Sequence, residues 1–334
     1  MTVGSSHRLE GLEPDNLLAF LALLGLLRAL EIARPEWCPR AYWDLQNAPI
    51  RPVLTTGHQT TYEEIGIAAL NGLAILRKAL WPFSWPRSKD GSAKKTALFS
   101  KASRQQALAK RCVLAANRCR LGAADHLVWQ LRCDLISASG AGVRDRKNPK
   151  KKNSYITPLK LPSGQMTFIG AQYDLLGKCK EHDIIKCLFN TWSYDYKGNS
   201  LRFSPDEARR YAYRGADPSP EGSRTELGAS ALGSFGLLAF TICERVDSWE
   251  MIAYRGTRSE GSIIIPIWGD NAGSGTSRHG IDAMLRAIEH ESRGKYSACN
   301  FSTMLSTARR YVLDPTQGDY GNISRALLSR LDHE

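Results

Sequence analysis

Residues 17–30, LLAFLALLGLLRAL, place the tightest constraint on what this chain can fold into. Asp15-Asn16 supply a helix cap in front of the run, and Arg34-Pro35 ends it. A helix that is apolar on every side has no face to give to water, so it must sit at the centre of the fold. It is too short for a bilayer: the apolar stretch from Leu17 to Leu27 is 11 residues long and closed by Arg28, whereas a span needs about 20. Glu10, Glu13 and Asp15 stand where a signal peptide would carry a basic segment. The expectation is a soluble, cytoplasmic protein, with its eight scattered cysteines reduced.

Beyond Pro35 a Trp/Pro-rich stretch (Trp37, Pro39, Trp43, Pro49, Pro52) predicts extended chain on the surface. Thr61-x-x-Glu64 is a capping box that opens a helix from Tyr62 to Leu80, stopped by WPFSWP at 81–86. Ser103-x-x-Gln106 opens a further helical region reaching Ile136. YITPL and QMTFI flank Pro162-Ser163-Gly164 and predict a hairpin. Residues 172–189 carry a helical pattern, and Ser204-Pro205-Asp206-Glu207 joins a cap, a first-turn proline and an early acid. The small side chains of ELGASALGSFGLLAF (226–240) suit close helix packing. WEMIAY and SIIIPIW predict strands, Ile281, Met284, Leu285 and Ile288 an amphipathic helix, and Asn322 the cap of a terminal helix.

The predicted class is α+β and α-rich, with a helical first half and short β-hairpins and helices in the second. The expected division is a helical domain at 1–140, a basic loop or linker at 141–153, and an α+β domain at 154–334.

Charge is segregated. The chain holds 45 Lys+Arg against 33 Asp+Glu, a formal net charge of +12. Between Trp85 and Lys160 there are 18 basic and four acidic residues, a net of +14, which leaves 27 basic and 29 acidic residues elsewhere. Such a concentration calls for an anionic partner, a nucleic acid or an anionic membrane face. No basic, strongly amphipathic helix is present to favour the membrane. The candidate phosphate-binding residues are Lys94, Lys95, Lys101 and Arg104, then Arg144, Arg146, Lys147, Lys150, Lys151 and Lys152 in the run RDRKNPKKKN. A second cluster interleaves rings with cations: Trp192, Tyr194, Tyr196, Arg202, Phe203, Arg209, Arg210, Tyr211, Tyr213 and Arg214. Rings stack on unpaired bases and arginines hold the backbone, although core packing is an equally good use for half of these rings.

Catalytic and metal patterns are weak by comparison. Cys112, Cys119, His126 and Cys133 recur every seven residues, which strings them about 10 Å apart along a helix, too far to share one ion. Cys179, His182 and Cys187 lack a fourth ligand, and His182-Asp183 lacks the further His and Asp that a two-metal site needs. There is no GxxxxGK[ST], GxSxG or HExxH. The expectation is a non-catalytic protein without cofactor or metal.

Several segments resemble a known family. LEPDNLLAFLALLGLLRALE (12–31) is similar to an opening found in CRISPR-associated proteins of type I systems, especially subtype I-G, formerly I-U. RFSPDEARRYAYRGADPS (202–219), ELGASALGSFGLLAF and IIIPIW (263–268) follow in the order those proteins show. Leu17 stands where they carry Pro, Phe203 where Trp is usual and Ile265 where an aromatic often precedes the Pro, the marks of a divergent member or a neighbouring subunit type. The resemblance implies a subunit like the large subunit of a crRNA-guided surveillance complex in antiviral defence. Its partners would be crRNA, target DNA, other effector subunits and the helicase-nuclease, with no membrane. Two rivals follow from the residues alone: a metal-independent ribonuclease using His126 or His182 as general base, and an adaptor docking its basic segment on an acidic protein.

Overall fold

Asn16 begins the fold in the way its sequence position predicts. Its backbone is extended, and its side-chain oxygen accepts a hydrogen bond from the amide of Leu18, capping α1 (Leu17–Ala33). Thirteen of the 17 residues of α1 are buried, so no side of the helix is left to solvent. Each buried leucine here contributes on the order of 1.5–3 kcal/mol. In the computed structural model the residues described are 4–84, 123–144, 152–161, 168–207, 224–245, 248–257, 260–270, 275–291, 304–312 and 321–330.

The other α-helices among the described residues are α2 (Tyr62–Ser84), α3 (Ala123–Ser139), α4 (Phe168–Lys178), α5 (Glu181–Phe189), α6 (Leu227–Gly236) and α7 (Arg278–Glu291). Every residue of α6 is buried, and the helix lies directly on α1. The approach is as close as backbones allow. A Cβ on Gly25 would sit 1.8 Å from the carbonyl oxygen of Leu232, and one on Gly236 would sit 1.9 Å from that of Leu21. Glycine at both positions is therefore a steric requirement of the pair. On its other side α1 meets α2, and α2 in turn carries α3, α4 and α5. The capping box of α2 forms as predicted, with Thr61 N–H donating to Glu64 and Glu64 N–H to Thr61 Oγ1.

Two antiparallel sheets flank the helices. The first has the order β1 (Ser5–Arg8), β3 (Arg51–Thr56), β2 (Arg40–Asp44), β12 (Thr276–Ser277). The Trp/Pro-rich stretch supplies two of these strands and is not a surface strap: Trp43 is fully buried, and its amide donates to Trp268 O while Trp268 Nε1 donates to Ala41 O. The ring needs more cover than a surface segment gives. The second sheet runs β10 (Tyr254–Gly256), β11 (Gly261–Ile267), β13 (Met304–Val312), β14 (Gly321–Ile323), with β15 (Leu327–Arg330) also paired to β13. The terminal helix expected after Asn322 does not form. Asn322 pairs with Tyr311 inside β14, because the ladder offered by β13 outweighs a local capping preference.

The described residues also form three short strand pairs: β4 (Gly140–Arg144) with β5 (Lys152–Ile156), β6 (Tyr196–Lys197) with β7 (Arg224–Thr225), and β8 (Ile242–Arg245) with β9 (Ser248–Met251). The turn expected at Pro162-Ser163-Gly164, with Gln165, Met166 and Thr167 after it, lies outside the described residues, and Tyr155 and Ile156 of the expected first arm pair with β4. Phe168 and Ile169 instead open α4, where residues 168–172, 175 and 176 are buried. That longer pattern overrides the strand preference of two residues. Strands also occupy both ends of the segment 141–153 that was expected to be a loop. One hydrophobic core draws residues from Leu9 to Ala326, on both sides of that segment. The mixed, helix-rich α+β class is the one predicted.

Candidate nucleic-acid interface

The hairpin β4–β5 holds the ends of the densest basic run. Arg144 pairs with Lys152 at one end of the ladder and Gly140 with Ile156 at the other. Its base is fastened to the core. Thr157 N–H donates to Ser139 O at 2.9 Å, Leu159 N–H donates to the Thr157 hydroxyl, and Leu159 and Leu161 are fully buried. The Thr157 hydroxyl also contacts Met251 Sδ, and β4 packs against β8 and β9. Residues 145–151, with Arg146, Lys147, Lys150 and Lys151, join the two paired strand ends and lie outside the described residues, as do Lys94, Lys95, Lys101, Arg104, Arg209, Arg210 and Arg214.

A second site joins segments as far as 312 residues apart in sequence, the separation of Glu13 and Arg325. Asn16, besides capping α1, donates from Nδ2 to Ser204 Oγ at 3.1 Å, and the Tyr194 hydroxyl lies 2.7 Å from the same oxygen. Arg325 gathers three carboxylates: it donates to Glu13 at 2.7 Å, to both oxygens of Asp15 at 2.9 Å, and to Asp206. Burial opposes the charge on Arg325, but the bonds from Asp15, Glu13 and Asp206 outweigh it and raise its pKa. The same place is tied to β13 through Ser306 Oγ, which donates to Pro14 O, and to the chain just before β15 through Ala326 N–H, which donates to Asp15 O. The structure thus brings together the LEPDN and RFSPDE segments on which the resemblance rests. Arg325 carried no local signal: it is one arginine in GNISRALL.

Next to this hub lies a buried carboxyl. Glu207 is 4% exposed and receives hydrogen bonds from the hydroxyls of Ser200 and Thr225, the latter also within 2.7 Å of Ser230 Oγ. Burial pushes its pKa up to about 7 against the opposing pull of those hydroxyls and of Arg202. Glu226 accepts from the amides of Ser193 and Tyr194, and burial raises its pKa as well. The connecting backbone is strained, with Tyr194 at φ 54° and Arg202 at φ 60°. Arg202, the described member of the second cationic cluster, is half-buried beside Glu207, and its amide donates to Ser200 Oγ. Of the rings in that cluster, Tyr194 and Phe203 are buried, and Trp192 and Tyr196 are half-buried against the core. These four serve packing, while Tyr211 and Tyr213 lie outside the described residues.

Among the described residues no group of three or more His, Cys, Asp or Glu is arranged to hold a metal ion. Cys179 and Cys187 are buried, with burial raising both thiol pKa values. His182 is exposed beside Asp183 at 3.3 Å, and His126 is half-buried on α3. No helix of the described residues is long and apolar enough to cross a membrane. Comparison with protein-family models, with curated proteins and with solved structures gives no match.

Proposed function

We propose that the chain is a non-catalytic nucleic-acid-binding subunit of a type I CRISPR–Cas surveillance complex, acting in antiviral defence by contacting crRNA, target DNA or both. The observation that carries this is the segregation of charge, a net of +14 within residues 85–160 against −2 in the rest of the chain. Positive charge gathered in one quarter of a chain binds phosphates by releasing counterions, and it does so without reading sequence. The β4–β5 pairing adds a mechanical element. It fastens both ends of the run 144–152 to a core-anchored hairpin, so the bound phosphate chain is coupled to the folded body. The order of the LEPDN, RFSPDE, ELGAS and IIIPIW segments supplies the family context. The other effector subunits and the helicase-nuclease are the partners that context implies, and the cytoplasm is the compartment.

Two experiments test this. A tagged chain pulled from its native host, with the co-purifying RNA sequenced, should bring down a discrete repeat-spacer RNA and CRISPR backbone subunits. Recovery of the chain without either would refute the assignment. Replacing Lys147, Lys150, Lys151 and Lys152 by Ala should weaken binding and flatten the dependence of log K on log salt by up to about 0.7 per lost phosphate contact on a single strand. An unchanged slope would remove the hairpin run from the interface. RNA cleavage abolished by His126→Ala or His182→Ala would replace the proposal with the ribonuclease, and retention of an acidic protein without RNA would replace it with the adaptor.

A further inference from the structure

Helix α2 carries two faces that do different work. Ile65, Ala68, Ala69, Leu73, Leu76 and Leu80 are buried against the other helices. The opposite stripe runs Glu63, Ile67, Leu70, Asn71, Ala74, Lys78, all exposed except the half-buried Leu70, and at 100° per residue it covers an arc of about 100°. Ile67 is 46% exposed, one of few large apolar side chains among the described residues to stand so far out. Within it Ile67, Leu70 and Ala74 stand at i, i+3 and i+7, a narrow apolar seam of about 60° edged by Glu63, Asn71 and Lys78, and such a seam is the pattern of a helix that pairs with one other helix.

The stripe is complementary to its own reverse in the charge of its ends and in the size of the residues next to them. When a second α2 is laid antiparallel across it about a two-fold axis between positions 70 and 71, Glu63 faces Lys78 and Ile67 faces Ala74. Leu70 meets its own copy on one side of the axis, and Asn71 meets its own copy on the other. Charge is matched at both ends, and Ile67 opposes the small Ala74 in the two layers on either side of the centre. Neither Glu63 nor Lys78 has an ion-pair partner among the described residues. A foreign helix would need one complementary sequence; a second copy of this chain already has it, as a two-fold interface requires. We propose that α2 is a self-association surface, on which two copies of the chain pair their α2 helices antiparallel. One helix stripe is smaller than the roughly 800 Å² per partner of a standard interface, so the dimer dissociates at about micromolar concentrations or above.

The test uses the full chain, treated with nuclease so that bound nucleic acid cannot bridge copies, in sedimentation velocity over a concentration series. The expected result is a monomer–dimer equilibrium whose Kd rises about tenfold or more in Ile67→Glu. Because Ile67 is exposed, that variant should keep the parent thermal melt. The decisive arm is charge reversal. Glu63→Lys and Lys78→Glu should each weaken self-association, since like charges then meet at both ends. Mixed together they should form a heterodimer, since both ends are again opposite in sign. A monomer at every concentration, a dimer indifferent to Ile67→Glu, or a mixture no better than its components would overturn the proposal. None of these outcomes bears on binding through the basic segment, so the two proposals fail separately.

Discussion

The carboxyl of Glu207 should make the protein less stable as pH rises through the slightly acidic range, and Glu207→Gln should remove that loss. In the unfolded chain the group titrates near 4.5, whereas burial in the fold pushes it up to about 7. Between those values the folded state keeps a proton that the unfolded state has released, so stability declines with rising pH across that window. Below about 4.5 both states are protonated, and above about 7 both are ionised, so the contribution is flat on either side. The window is 2.5 pH units wide, and at roughly 1.4 kcal/mol per unit the full effect is about 3 kcal/mol. Glutamine keeps the shape, cannot ionise, and retains one oxygen for the hydroxyls of Ser200 and Thr225. Its amide group can donate where the second oxygen accepted, at a cost of about 1 kcal/mol for rearranging the pair. The variant should therefore match or fall slightly below the parent at pH 4.5 and exceed it by about 1–3 kcal/mol at pH 8. Urea-unfolding midpoints at pH 4.5, 6 and 8, at one ionic strength, measure both. A variant that loses as much stability at pH 8 as at pH 4.5 would refute the reasoning, because the ionised carboxylate would then be a net source of stability through its hydroxyl donors and Arg202.

Other consequences are as direct. Gly25→Ala should cost about 3 kcal/mol or force α1 and α6 apart, and an unchanged melting temperature would mean that the backbones are not in contact. Arg325→Met should leave Glu13, Asp15 and Asp206 facing one another and cost about 1–2 kcal/mol near neutral pH, discounted because the group is partly exposed. That cost should shrink at high ionic strength, which screens the three carboxylates from one another, and a loss independent of salt in urea unfolding would point to packing instead. Asn16→Ala should cost about 1–2 kcal/mol through the α1 cap and the bond to Ser204, with Asn16→Asp, which keeps the cap, falling between it and the parent. Equal losses in the two variants would assign the whole effect to Ser204.

Much of the helical framework was legible because its signals are local or periodic. An all-apolar run can only be buried, a capping box satisfies its own amides, and the 3.6-residue repeat of Ile281, Met284, Leu285 and Ile288 defines one face of α7. The small residues of 226–240 likewise announced a close helix contact, though not that α1 would be the partner. Strands were less legible, since a strand is stable only with a neighbour that sequence does not name. Residues 152–156 took β4 for a partner, which no local signal named, and Asn322 entered a ladder in place of capping a helix.

The candidate sites divide along the same line. By itself the sequence determined where the positive charge lies, because net charge is a sum over residues and needs no fold. It also determined that α1 occupies the centre. Only the tertiary structure decided that Arg325 would close over Glu13, Asp15 and Asp206, and that Glu207 would sit among hydroxyls far from water. It decided too that the rings of Tyr194 and Phe203 would fill the core. Ion pairing, desolvation and ring burial all depend on distances between residues remote in the chain, and those distances exist only once the chain has folded.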